Sequence, residues 1–349
     1  MDIINNSTRG GGRNLQIDII KGISIVLVLW GHMIQNLSSG DSYYNDWIFR
    51  TIYSFHMPLF ALISGYLFYP SQQRRNFLEA VRSRVTGLLV PIMTWTTLDW
   101  ILRSVLHRKI AVVEWKNIFT GNMLWFLWSI FAADLVLIVA EKLIKTRWGR
   151  TIWLATGFLM MYVFPNAELN LFLYPYVVLG FYYKKRTESF LRVKKHGWIC
   201  ILLYITLLPL YKETSFIYTT GISVWKSDVI VSIHMLIDLY RYIIGLAGSI
   251  AVIYMCVLSR KIRTFDRGFS MCGQYTMQIY IMQCFFFKFF GIVWVKIKNE
   301  AFNSAALLNA SVRNIMVAIP FCVILLLTLL FISKIFERNS HINKILFGR

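Results

Sequence analysis

Long apolar stretches, each near the length of a bilayer crossing, alternate along this chain with short polar and basic segments. A helix needs roughly 20 apolar residues to cross a bilayer core. Scanning at that length predicts ten approximate spans: 17–37, 47–69, 85–106, 123–144, 151–164, 169–183, 198–211, 233–258, 275–295 and 312–335. The fifth, sixth and seventh are short. The fifth and sixth, joined by Pro165-Asn166-Ala167-Glu168, make either a full hairpin or a re-entrant one, and both leave the parity of the later spans unchanged. The expected fold is all-α and polytopic. Residues 1–14 read as a flexible tail, 15–336 as a single transmembrane domain and 337–349 as a basic tail. The first span reads as a retained helix and not a cleaved signal, because its apolar part is long and carries polar groups. Arg9-Gly10-Gly11-Gly12-Arg13 reads as tail and not as a phosphate loop, since no strand precedes it.

Composition supports this pattern. The 349 residues are 57% hydrophobic and 15% charged, whereas soluble chains run near a quarter charged. A mean hydropathy of +0.55 leaves more apolar surface than soluble cores can hide, and lipid resolves the mismatch. Soluble enzymes, secreted disulfide scaffolds and disordered regulators are excluded. The net charge of +20 by itself suits nucleic acid, but the basic residues lie in short clusters between apolar runs, as cytoplasmic loops on an anionic leaflet do. Alternate loops carry 24 Lys and Arg on one side and 7 on the other, which predicts that both termini are cytoplasmic. The five cysteines have no metal-type or redox-type spacing and read as small buried hydrophobes. No metal is expected.

Ionisable groups inside spans are costly, so each is a candidate functional group. In the first span Lys21 and His32 stand three helical turns apart, about 16 Å, with Asp18, Gln35 and Asn36 near the same line. The second span carries Phe55-His56-Met57-Pro58-Leu59-Phe60. Pro58 removes a backbone donor and should kink the helix, freeing the Ser54 carbonyl beside His56. His32 and His56 fall about 8 and 14 Å from the outer ends of their antiparallel helices, so both imidazoles can meet in one cavity in the outer half of the membrane. Two readings stand side by side: a proton-handling pair, or two histidines that each bond a neighbouring helix. Asp99 with Arg103 and Asp238 with Arg241 have the spacing of local ion pairs, and His234 shares a face with Asp238. Asp134, Arg50, Lys288 and Arg313 have no assigned role. The Trp residues near span ends, Trp125 among them, suit interfacial anchoring.

At these residues the chain resembles the acyltransferase-3 family of bacterial integral-membrane acyltransferases, over nearly its whole length. Ile17-Asp18-Ile19-Ile20-Lys21-Gly22 through Gly31-His32 is similar to the family's first signature, with Lys21 where many members have arginine. The segment from Phe55 to Phe60, with Ser64-Gly65, is similar to the second. Arg82, Arg84, Pro91 and Trp95 resemble the basic entry to the third helix, and Trp125-Phe126-Leu127 a further short motif. Gly273-Gln274-Tyr275-Thr276 with Ile279-Tyr280 fits a pattern that often ends in histidine, where this chain has Gln283. A glutamine there can donate or accept a hydrogen bond but does no acid–base work.

The resemblance implies an O-acetyltransferase of the bacterial cytoplasmic membrane, moving acetyl from cytoplasmic acetyl-CoA to a hydroxyl of an envelope polysaccharide or its lipid-linked precursor. Some members carry an added hydrolase-like domain; this chain reads as the stand-alone type. Lys21, Arg74, Arg75, Arg82 and Arg84 are the expected contacts to the donor's phosphates. His32 is the expected general base, or else a transient acyl carrier. His56 is expected to donate to the oxyanion or position the acceptor. Asp18, Ser64, Trp125 and Gln283 are expected to support donor or acceptor, with Asp18 holding Lys21. The rival reading is a glycan flippase or solute transporter, which inverted repeats and paired broken helices would favour; neither is visible.

Overall fold

The computed structural model describes residues 14–38, 40–107, 123–187, 197–222, 231–258, 263–288 and 314–348. Among them there is no strand, and the architecture is all-α. The helices are α1 (Leu15–Leu37), α2 (Trp47–Tyr53), α3 (His56–Gln73), α4 (Phe77–Arg84) and α5 (Val90–His107). They continue with α6 (Trp125–Lys142), α7 (Arg147–Met160), α8 (Ala167–Arg186), α9 (Gly197–Leu207) and α10 (Val231–Leu258). The last are α11 (Arg263–Gln274), α12 (276–288), α13 (Ile319–Glu337) and α14 (Ser340–Phe347). Among the described residues, five stretches are long and apolar enough to cross a membrane: Leu15–Leu37, Trp47–Gln73, Phe77–Val105, Ile233–Leu258 and Ile315–Glu337. Large apolar side chains such as Ile324, Leu327 and Phe331 on α13 are exposed, as lipid-facing positions require. Lys296, Lys298 and Arg313 lie outside the described residues, as do Arg9 and Arg13.

The chain divides into two compact units. The first comprises Met1–Phe60, Ser189–Lys212 and Ile243–Ser333; the second comprises Ala61–Glu188, Glu213–Tyr242 and Lys334–Arg349.

The first unit is built on a close crossing of α1 and α11. A Cβ at Gly22 would stand 1.8 Å from the Phe269 carbonyl oxygen, and one at Gly273 would stand 1.8 Å from that of Asp18. Each helix thus presents a glycine to the other's backbone, the contact that small residues allow in membranes. This gives the two glycine-bearing signature segments a shared packing role. Asn14 caps α1 by accepting from the Gln16 and Ile17 amides, and Asp46 caps α2 by accepting from Phe49.

The second unit repeats the device: Gly65 on α3 meets the Val177 carbonyl of α8, and Gly180 meets that of Leu62. The fifth and sixth predicted spans form a hairpin, α7 and α8, whose turn is pinned by the buried Asn170. Its side chain donates to the Pro165 carbonyl at 2.9 Å and accepts from Ser129 at 2.6 Å. Asn166 takes the left-handed conformation (φ 62°), which asparagine tolerates better than most residues. The predicted basic tail contains α14. Trp95 Nε1 donates to the Leu346 carbonyl at 2.8 Å, and Phe347 is buried near the Trp95 ring.

Both predicted local ion pairs form. Arg103 meets Asp99 at 2.9 Å and Arg241 meets Asp238 at 2.8 Å. Arg241 does more: fully buried, it also donates to the carbonyls of Thr214, Ser215 and Gly221 and to the Thr220 hydroxyl, holding the 213–221 segment. Asp238 is thereby engaged by Arg241, and the Nδ1 of His234 has no hydrogen-bond partner among the described residues. Arg50 donates to the Tyr44 carbonyl and the Asn45 side chain.

Candidate active site

The site in the first unit begins with a broken helix. Pro58 has no N–H to continue the helical ladder, and the chain turns at Ser54-Phe55 between α2 and α3. Side-chain hydroxyls donate to carbonyls in and beside that turn. Thr51 accepts from the hydroxyl of Tyr204 at 3.0 Å, Tyr53 from that of Tyr211 at 3.5 Å, and Phe55 from that of Ser249 at 3.4 Å. His56 is the first residue of α3 and only 1% exposed. Its Nδ1 stands 2.8 Å from the Ile52 carbonyl oxygen. Sequence reasoning predicted a freed Ser54 carbonyl beside His56; the break falls one turn ahead of the proline, and the carbonyl engaged is that of Ile52.

This contact sets the tautomer. A carbonyl only accepts, so Nδ1 carries the hydrogen and Nε2 of the neutral ring bears the lone pair. Donation to an oxyanion, the expected role, uses an N–H at Nε2, which the ring carries once it has taken up a proton there. A base is the role its neutral form fits.

His32 lies half-buried on α1, within electrostatic reach of His56. Its ring meets the edge of Phe287 at 6.0 Å. Tyr53 joins the two histidine segments: its ring lies 4.6 Å from that of His56, its edge fills the space beside Gly31, and its hydroxyl donates to Gln35 at 3.3 Å. Gln283 sits one turn before Phe287 on α12, on the same helical face, and is fully buried. Neither its amide nitrogen nor its oxygen has a hydrogen-bond partner among the described residues. Lys21 meets Asp18 at 3.2 Å, and the first unit carries this pair together with His32, His56 and Gln283. Tyr53, Tyr204 and Tyr211 were not singled out by sequence reasoning. The spacing of Tyr53 three residues before His56 was the only signal for any of them.

The remaining predicted residues belong to the second unit. Arg75 and Arg84 converge on the Ser71 hydroxyl at 2.8 and 3.1 Å. Arg84 also meets Asp134 at 3.3 Å and lies over the Phe68 ring, 4.5 Å from its centroid. Asp134, left unassigned by the sequence, is thereby the partner of a predicted donor contact. Arg74 and Arg82 are exposed, and Ser64 is half-buried beside the Gly65 crossing. Trp125 starts α6, with its ring edge against Tyr218 at 5.9 Å.

A family model described as an acyltransferase domain matches residues 14–336. The chain is 28% identical to the nodulation protein NolL of Mesorhizobium japonicum over 320 residues, 81% of this chain and 80% of that one. It is 31% identical to the nodulation protein NolL of Sinorhizobium fredii over 192 residues, 52% of each. No solved structure matches.

Proposed function

The chain belongs to the acyltransferase-3 family, a multi-pass membrane acyltransferase, and on that premise we propose that it transfers acetyl from cytoplasmic acetyl-CoA to a hydroxyl of an envelope glycan or its lipid-linked precursor. The bilayer is the bacterial cytoplasmic membrane, crossed ten times with both termini inside. The loop charges support that orientation, and the family supports the donor. The nodulation relatives are consistent with an acceptor outside central metabolism.

The observation that carries the reading is the buried His56, held by the Ile52 carbonyl in the tautomer whose Nε2 accepts a proton, with the Tyr53 ring packed against both it and Gly31 next to His32. In the proposed step the acceptor hydroxyl loses its proton to Nε2 as its oxygen bonds the thioester carbonyl carbon. The carbon–sulfur bond then breaks, and the proton passes through the imidazole pair to the departing thiolate. His32 takes part in that proton transfer, the arrangement favouring His56 as the base itself. Gln283, buried with donor and acceptor both available, positions the acyl carbonyl or acceptor. Arg74, Arg75 and Arg82 meet the donor's phosphates, with Lys21 held by Asp18 and Arg84 by Asp134. Ser64 and Trp125 line the approach of donor and acceptor.

The test is acylation in cells and in purified protein. His32→Ala and His56→Ala should each abolish glycan acetylation while the protein inserts and accumulates normally. Full acetylation by either variant removes that residue from the mechanism.

A further inference from the structure

A second cluster of buried polar groups lies in the other unit, around Arg84. Gln72, near the end of α3, is 2% exposed, and neither its Nε2 nor its Oε1 has a hydrogen-bond partner among the described residues. Asp134 is 1% exposed; its Oδ2 meets Arg84, while its Oδ1 has no partner among the described residues. The Nε of Arg84 is likewise buried and has no partner among the described residues. Phe68, Ser71 and Gln72 share one face of α3 by helical spacing, and Arg84 contacts both Phe68 and Ser71. Gln72 stands one helical turn after Phe68, whose ring Arg84 covers.

Buried polar atoms are almost always paired, so these orphans point to a ligand. Their chemistry narrows its kind. Arg84 is already opposed by Asp134, which leaves little net charge for a phosphate. What remains is a mixed set: donors on Gln72 and Arg84 Nε, acceptors on Gln72 and Asp134. A secondary amide, with one N–H and one carbonyl, matches that set.

We propose that Gln72, Arg84 and Asp134 form a subsite for a neutral amide. Resting on the acyl-CoA reading above, the ligand is the pantetheine arm of the donor. The exposed Arg74 immediately follows this stretch of α3, and Arg75, bonded to Ser71, follows it in turn. Phosphate recognition and amide recognition thus occupy adjoining positions of the chain and are separable by mutation.

The experiment measures inhibition of acetyl-CoA turnover by two donor fragments, pantetheine and adenosine 3′,5′-bisphosphate. Gln72→Met keeps the volume and removes the hydrogen-bonding groups. It should weaken pantetheine inhibition about tenfold and leave inhibition by the bisphosphate unchanged. Asp134→Asn, which exchanges an acceptor for a donor, should weaken pantetheine in the same selective way and serves if Gln72→Met does not fold. Unchanged pantetheine inhibition in a folded variant overturns the subsite, as does an equal loss for both fragments. If wild-type protein turns over no acetyl-CoA and neither fragment binds it, the acyl-CoA reading itself falls, and this inference with it.

Discussion

His56→Asn separates the two jobs assigned to this imidazole. The asparagine amide nitrogen falls where Nδ1 stands, so it still donates to the Ile52 carbonyl now met at 2.8 Å, while nothing replaces Nε2. Keeping that bond should hold stability within about 1 kcal/mol of wild type. Losing a general base should lower kcat by about 10²–10⁴-fold, equivalent to about 3 to 5 kcal/mol of barrier. His56→Ala removes both functions. It uncovers the Ile52 carbonyl, costing about 1–3 kcal/mol, and leaves a cavity in a fully buried site. Thermal melting in detergent and steady-state acetyl transfer read the two effects separately. Turnover within a few-fold of wild type in the asparagine variant would refute the base assignment. A melting temperature as low as that of the alanine variant would refute the capping argument.

Three further outcomes follow from the packing. Gly22→Ala should destabilise by about 1–3 kcal/mol or more, because the new methyl meets the Phe269 carbonyl oxygen at 1.8 Å; detergent melting checks it. Arg84→Ala should cost about 3–5 kcal/mol by leaving the buried Asp134 uncompensated, and Arg84→Met with Asp134→Leu should recover most of that loss, measured the same way. Trp95→Phe should loosen α14 by removing the bond to the Leu346 carbonyl, worth about 1 kcal/mol; faster hydrogen exchange across 340–347 is the expected readout.

Features governed by local spacing were readable in the sequence. The i,i+4 pair Asp99–Arg103 and the i,i+3 pair Asp238–Arg241 depend only on helical geometry, and both form. Pro58 breaks its helix for a reason that is also local. The polar line from Asp18 to Asn36 lies along α1 as expected, with Lys21 meeting Asp18. Contacts chosen by tertiary packing were not readable. Arg84 finds Asp134 fifty positions away, and Trp95 finds the carbonyl of Leu346; no periodicity encodes either partner. That His56 would engage the Ile52 carbonyl was not readable, because a proline locates a helix break only to within a turn. Which neighbours then cap the opened turn, here Tyr204 and Tyr211, depends on helices that meet it from far along the chain. The glycine motifs were visible as motifs, but their meaning as paired backbone crossings emerged only with both helices in place.

The central claim meets its most direct test in purified protein reconstituted in sealed vesicles with acetyl-labelled acetyl-CoA and a lipid-linked glycan. Label should enter the glycan as free CoA thiol is released, one for one, and both should vanish in His56→Asn. Movement of glycan across the bilayer with no thiol released would contradict acetyl transfer and favour a carrier instead.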